Sequence, residues 1–257
     1  MFLKKFIFTH SRLIQTLLPS FCLLCDDRSQ NAEALCEPCQ KELPILSNPA
    51  LPNPLLSNPL LSKYCIKCAQ TLSGSCSNTL VCGTCLKHPP PFDKIFALFP
   101  YEPPITRFIT LLKFQADFKY ASFFAKWFIH KIQEEWYQHE PLPQLILPVP
   151  LHDQRLKERG FNQALEIGKW ISNKFSIPID LYGIKRIRET KAQSGLSSIA
   201  RKDNIAGAFQ AFRDYATLSI ALLDDVVTTT STITEISRIL RQKGAKSIHV
   251  WCCARRG

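Results

Sequence analysis

Two adjacent carboxylates and a run of hydroxyls offer the clearest chemistry in this sequence. In Ala221-Leu222-Leu223-Asp224-Asp225-Val226-Val227-Thr228-Thr229-Thr230-Ser231-Thr232-Ile233, they lie between an apolar run and a helical pattern. Ser219 to Leu223 has the continuous apolar character of a buried parallel strand. Open parallel sheets bind ligands beyond the carboxyl ends of their strands, which is where Asp224 and Asp225 fall. Carboxylates accept hydrogen bonds from sugar hydroxyls or hold a metal, while amides and hydroxyls at a helix N-terminus attract phosphate. One short stretch therefore supplies both halves of a ribose 5-phosphate site. The helix is supported independently: Ile233, Ile236, Ile239 and Leu240 form an apolar face, Arg238, Arg241 and Lys243 favour its end, and Gly244 can cap it. An acid pair after a strand could also serve a nucleotide triphosphatase, but the companion Gly-x-x-x-x-Gly-Lys-Ser/Thr loop is missing from the sequence. A Gly-x-Gly-x-x-Gly turn is missing as well, so dinucleotide binding has no support.

Cysteine supplies the second chemistry. Eight of the eleven cysteines fall in four Cys-x-x-Cys pairs: Cys22/Cys25, Cys36/Cys39, Cys65/Cys68 and Cys82/Cys85. Two thiolates in a tight knuckle grip one tetrahedral zinc and two knuckles complete a four-sulfur site, so two structural zincs are expected. Ten residues separate Cys25 from Cys36 and thirteen separate Cys68 from Cys82, spacings that suit sequential ribbons and also permit crossed pairing. Four protein ligands leave no coordination position for catalysis. The competing disulfide framework would need an oxidising compartment, and Thr9-His10-Ser11-Arg12 interrupts the apolar stretch that a secretory signal requires. Cys76, Cys252 and Cys253 fit no motif, and the last two, in the apolar run 247–254, should behave as small hydrophobes.

The elements that must position these residues follow from punctuation and periodicity. Residues 1–20 read as an amphipathic helix with Phe2, Phe6, Leu13, Leu17 and Leu18 near one face, docking on its own protein or lying on a membrane surface. Residues 21–90 form the double zinc ribbon, interrupted by a linker, 46–62, whose Pro49, Pro52, Pro54 and Pro59 forbid a regular helix. Pro89-Pro90-Pro91 then marks a boundary, and 91–257 reads as an α/β domain in which strands such as Ile95 to Tyr101 and Leu145 to Pro150 alternate with helical patterns. Ile105, Phe108, Ile109 and Leu112 mark one helix, Phe124, Phe128, Ile129 and Ile132 a second, and Phe161, Ala164, Leu165, Gly168, Ile171 and Phe175 a third. Across 257 residues, Lys and Arg outnumber the acids 32 to 21, a formal charge of +11 that favours a polyanionic partner: nucleic acid, a phosphate-rich ligand or an acidic membrane. No apolar run reaches the roughly 18 residues of a membrane-spanning helix.

Two basic segments complete the set. The first is Val149-Pro150-Leu151-His152-Asp153-Gln154-Arg155-Leu156-Lys157-Glu158-Arg159-Gly160-Phe161-Asn162-Gln163-Ala164, where Arg155 and Arg159 can meet diphosphate oxygens with forked hydrogen bonds. Asn162 and Gln163 can hold that loop. The second holds Lys185, Arg186, Arg188, Lys191, Arg201 and Lys202 against Glu189, enough cationic charge to attract pyrophosphate or a nucleic-acid backbone.

With the cysteine ribbons and the acid pair, these motifs resemble the ComF family of competence proteins over almost the whole chain. The resemblance implies an α/β type I phosphoribosyltransferase-like parallel sheet flanked by helices and preceded by a double zinc-ribbon module. It implies a site for phosphoribosyl pyrophosphate (PRPP) with magnesium: the 5-phosphate on Thr228, Thr229, Thr230, Ser231 and Thr232, the ribose on the catalytic acids Asp224 and Asp225, and the pyrophosphate near Arg155 and Arg159. Arg186, Arg188, Lys191 and Arg201 fall in the hood over that site or on a nucleic-acid surface. The signature has Gly where this chain has Thr230, and a φ > 0 there would cost a β-branched residue about 1–2 kcal/mol. In the cell, the resemblance implies a cytoplasmic protein, with a peripheral inner-membrane location as the variant. There it would handle imported single-stranded DNA in natural transformation beside a competence helicase and the inner-membrane DNA channel. The alternatives are an active phosphoribosyltransferase with an unidentified acceptor and no role on DNA, and a scaffold that retains both sites without using them.

Overall fold

The computed structural model describes residues 20–29, 34–46, 64–72, 80–189 and 205–257. The expected N-terminal helix except Ser20, the linker beyond Leu46, Cys76, Lys191 and Arg201 lie outside the described residues. The chain divides into two compact units, Met1–Pro44 and Ile45–Gly257.

In the first unit, β1 (Ser20–Phe21) pairs antiparallel with β2 (Arg28–Ser29), and the short helix α1 (Glu37–Lys41) follows, with Pro in its first turn. Proline suits that position because its missing N–H would have no partner within the helix. The turn after Cys22 closes with Asp26 N–H donating to Cys22 O at 3.1 Å, and Asp26 takes φ 60°.

The second unit repeats this knuckle. Ala69 N–H donates to Cys65 O at 2.8 Å, Ala69 takes φ 53°, and α2 (Gly83–Lys87) occupies the place that α1 has in the first unit. The α/β part runs β3 (Lys94–Pro100), α3 (Ile105–Gln115), α4 (Lys119–Lys131) with a closing π turn at Ile132–Trp136, β4 (Leu145–Pro148), α5 (Asp153–Arg159) and α6 (Gln163–Phe175). It continues through β5 (Ile184–Arg186), β6 (Phe209–Ala211), β7 (Ser219–Val227), α7 (Ser231–Gln242) and β8 (Ser247–Arg255). The four-stranded sheet has the order β3-β8-β7-β4, and each neighbouring pair is parallel. The two longest strands occupy its centre, so β7 and β8 are buried almost throughout, as their unbroken apolar runs require. The β4 edge is covered by 178–180, with Ile146 N–H donating to Pro178 O and Asp180 N–H to Ile146 O, both at 2.9 Å. β5 and β6 form a separate antiparallel pair.

Leu145, Leu147, Ile220, Leu222, Ile248 and Val250 share one buried cluster with Ile233, Ile236, Ile239 and Leu240 of α7. Cys65, Cys68, Ala69 and Cys85 of the second cysteine group belong to the same cluster. The proline run at 89–91 therefore separates elements in sequence without separating their packing. Elsewhere α6 approaches the sheet through Gly168, where a Cβ would stand 3.2 Å from Leu223 Cδ2 and 3.7 Å from Ile146 Cγ2. Asp93 receives Arg241 Nη2 on both carboxylate oxygens at 2.8 Å and accepts Ile248 N–H at 2.7 Å, tying the end of α7 to the start of the sheet.

Candidate functional site

Asp224 and Asp225 occupy the carboxyl-terminal half of β7, a central strand. Asp224 Oδ1 accepts the Asp225 N–H at 2.9 Å, and Asp225 Oδ1 accepts the Val226 N–H at 2.9 Å. Lys113, near the end of α3, stands with Nζ 2.5 Å from Asp225 Oδ2. Burial disfavours charge on both members, but their mutual attraction outweighs it, so Lys113 is raised and Asp225 lowered from their ordinary values. Asp224 is pushed well above the usual carboxylate range, first by burial and then by the neighbouring Asp225 charge. The two neighbouring carboxyls are thus shifted in opposite directions, Asp224 up and Asp225 down.

That asymmetry has a thermal signature. A carboxyl whose folded-state pKa is raised binds more proton when folded, so stability falls as pH climbs from the ordinary carboxylate value through the raised one. Asp224→Asn removes that loss while retaining an Oδ1 for the Asp225 N–H. The variant should gain roughly 0.5–2 kcal/mol at neutral pH, the usual gain when a strained functional site is relaxed, and lose the advantage in acid. Melting temperatures measured across pH would check this.

Lys113 was not anticipated from sequence. Its signal was faint: it follows Leu112 and lies four residues after Ile109, at the margin of the buried stripe of α3, where a charge needs a partner. The other flank of Asp225 comes from the loop after β4. Asn162 caps α6, its Oδ1 accepting from Ala164 N–H at 2.9 Å and Leu165 N–H at 3.3 Å, while Nδ2 donates to Val149 O at 3.0 Å. This fixes buried Gln163, which accepts from Arg159 Nη1 at 2.6 Å and helps hold Asp225 below its ordinary value. Arg159 is lowered by burial, with Asp225 opposing and Arg155 adding to the effect. Arg186, on β5, is lowered by burial and by Arg155, with Asp224 opposing. Arg159 thus lies within electrostatic reach of Asp225 and Arg155, and Arg186 of Asp224 and Arg155. Exposed Arg188 donates through Nη2 to Ala206 O at 2.6 Å.

The hydroxyl turn follows directly. Thr228, Thr229, Thr230, Ser231 and Thr232 are half-buried, and Thr230 is the N-cap of α7. Thr230 makes no side-chain capping bond to the first turn of α7. Its φ is −77°, so the cost expected from Thr at a glycine position does not arise. The turn is held from below by Arg255, 5% exposed, whose Nη1 donates to Val227 O at 2.9 Å and Thr228 O at 2.7 Å. Arg255 Nε reaches Cys68 O at 2.9 Å. One guanidinium therefore clamps the turn to the second cysteine knuckle.

The knuckles pair sequentially. The thiols of Cys22, Cys25, Cys36 and Cys39 lie within 4.8 Å of one another, as do those of Cys65, Cys68, Cys82 and Cys85. Sγ–Sγ distances of 3.6 Å for Cys25–Cys36 and 3.7 Å for Cys68–Cys82 match the edge of a zinc–thiolate tetrahedron. Zinc–sulfur bonds near 2.3 Å place that edge at about 3.8 Å. The Cys68 thiol and the backbone amides of Cys82, Cys68 and Lys67 outweigh burial and bring Cys65 to about 4. For Cys22, burial raises the value, and the amides of Cys25, Cys36 and Leu24 outweigh it to reach about 6. The two four-cysteine groups fit two structural zincs.

Residues 13–50 match the double zinc ribbon domain family. The chain is 33% identical over 239 residues to competence protein F of Haemophilus influenzae, covering 91% of this chain and 96% of that protein. This chain belongs to the ComF family. Within the ComF family, the DNA utilization protein YhgH of Salmonella typhi is 34% identical over 178 residues, 69% of this chain and 78% of that protein. Among solved structures, a purine phosphoribosyltransferase from Pyrococcus horikoshii aligns over 52% of this chain and 80% of its own, at 13% identity and a TM-score of 0.32. The ComF chain has the parallel sheet flanked by helices expected from its sequence, with the double zinc ribbon match before it. Among the described residues, no helix is long and apolar enough to cross a membrane.

Proposed function

We propose that this ComF-family chain handles incoming single-stranded DNA in natural transformation and that the end of β7 is a site for PRPP with magnesium. The adjacent carboxyls beside Lys113, continuous with an α7 N-terminus that no Thr230 side chain caps, support the reading. Asp224 and Asp225 would hold the ribose through its hydroxyls. The 5-phosphate would rest on the amides and hydroxyls of Thr228 to Thr232, and Arg155 and Arg159 would meet the pyrophosphate. Magnesium, when bound, screens the pyrophosphate charge. Arg186, Arg188, Lys191 and Arg201 would supply the hood or a nucleic-acid contact. The relatives' names, competence protein F and DNA utilization protein, support the cellular half of the proposal, with a helicase and the inner-membrane channel as partners at the cytoplasmic face.

A second reading draws on the cations gathered around the acid pair. An acceptor attacks the anomeric carbon of PRPP, the bond from that carbon to the pyrophosphate oxygen breaks, and Arg155 and Arg159 stabilise the departing charge. Retention of single-stranded DNA, measured against salt, tests the first reading: affinity should fall with a log–log slope of about 0.7 per phosphate contacted. Salt-independent retention, or no retention, combined with unimpaired import of DNA after gene deletion would leave only the transferase.

A further inference from the structure

The end of α3, which bears Lys113, and the loop after it also carry aromatic rings into solvent. Phe114, next to Lys113, is 74% exposed, and the Arg159 guanidinium lies 5.6 Å from its ring centroid. Phe118, 47% exposed, meets Phe161 edge to face at 5.0 Å. The first contact joins the last turns of α3 and α5 and the second joins the loops that follow them, while Lys113 of α3 pairs with Asp225 and Arg159 of α5 donates to Gln163. Exposed rings in a site of fixed charges offer flat surfaces, and a guanidinium over a ring extends such a surface with positive charge. Heteroaromatic bases stack on that combination whatever their sequence, because each has a π-face.

We infer that Phe114, Arg159 and Phe118 form a stacking shelf for a heteroaromatic base beside the acid pair. The inference rests on the sugar-phosphate reading and supplies its missing half: the group that lies next to the ribose. The base belongs either to a DNA strand or to a free acceptor, and the chemistry of the shelf is the same for both.

The test uses the full, zinc-loaded chain and its Phe114→Leu variant, whose exposed position leaves the fold little affected. Oligothymidylate and an abasic strand of equal length are compared by fluorescence anisotropy, adenine is titrated into PRPP-loaded protein by calorimetry, and PRPP with magnesium is titrated alone. Wild type should prefer oligothymidylate over the abasic strand by roughly tenfold, as for one stacked base, and Phe114→Leu should lose that preference with its PRPP heat unchanged. Loss confined to adenine assigns the shelf to a free acceptor, and loss confined to the strand assigns it to DNA. Equal binding of both strands by wild type, with no adenine heat or with adenine heat unaltered by the variant, overturns the shelf. PRPP heat absent with base preference intact strikes the sugar-phosphate reading and leaves the shelf as a DNA contact.

Discussion

Asp225→Asn should abolish PRPP binding and cost the fold about 3–5 kcal/mol, the penalty for breaking a buried ion pair by removing one partner. Asp225 is 4% exposed and its Oδ2 is 2.5 Å from Lys113 Nζ, so the substitution leaves the ammonium its burial and only the weaker attraction of Asp224 and Tyr101. The pH dependence of the deficit identifies its source. With Asp225 present, Lys113 is raised and contributes stability that is lost only as pH climbs through that raised value. In the amide variant the pull reverses, because burial favours the neutral amine, so the deficit should shrink as pH rises through the lysine range. Lys113→Met with Asp225→Asn should recover much of the stability, since a buried pair replaced by apolar or neutral groups is often neutral in cost, but should recover no PRPP binding. Chemical denaturation and calorimetry on both variants separate the structural role of the carboxylate from its binding role. Full PRPP affinity in the double variant would remove Asp225 from the site.

Breaking the second cysteine group should weaken the distant hydroxyl turn, whereas breaking the first should not. Arg255 ties Cys68 O to Val227 O and Thr228 O, and Cys65, Cys68 and Cys85 pack in the same buried cluster as the sheet. A structural zinc contributes about 10–16 kcal/mol to the domain it holds, so Cys65→Ser should lower the melting temperature of the second unit steeply as it loses one zinc. Cys22→Ser should also lose one zinc, but its effect should stay in the first unit, with PRPP affinity unchanged. Arg255→Met is the milder probe because it spares the metal. It leaves Thr228 O and Cys68 O without the Arg255 donor, at roughly 1–3 kcal/mol each, while Val227 O keeps the Arg256 N–H, and should weaken PRPP binding about tenfold or more by releasing the turn. Metal content and PRPP titrations on the three variants check the scheme. Equal loss of affinity in Cys22→Ser and Cys65→Ser would show that the Arg255 clamp carries no coupling.

What was legible in the sequence was local. Asp224, Asp225 and the turn through Thr232 are contiguous, so strand periodicity and helix-start chemistry identify them without the fold. The Cys-x-x-Cys knuckles are equally local, and their spacing anticipated the two four-sulfur groups found. Lys113 and Arg255 were illegible for the opposite reason. Each is a charged residue at the end of an apolar pattern, and only the fold brings it to Asp225 or to the carbonyls of Val227 and Thr228. The conflict expected at Thr230 did not arise, because the turn enters α7 through a backbone that any residue adopts. The proline run at 89–91 marked a real break in periodicity, but the packing of Cys85 with Ile95 and Ala97 across it depends on side-chain burial that punctuation does not report.

The most direct test is a calorimetric titration of the zinc-loaded chain with PRPP and magnesium. Saturable heat at one site per chain, lost when the turn is blocked by Thr230→Pro and Ser231→Glu, is the result expected of a ribose phosphate held between the acid pair and the α7 N-terminus. No saturable heat from the folded, metal-replete protein would contradict it.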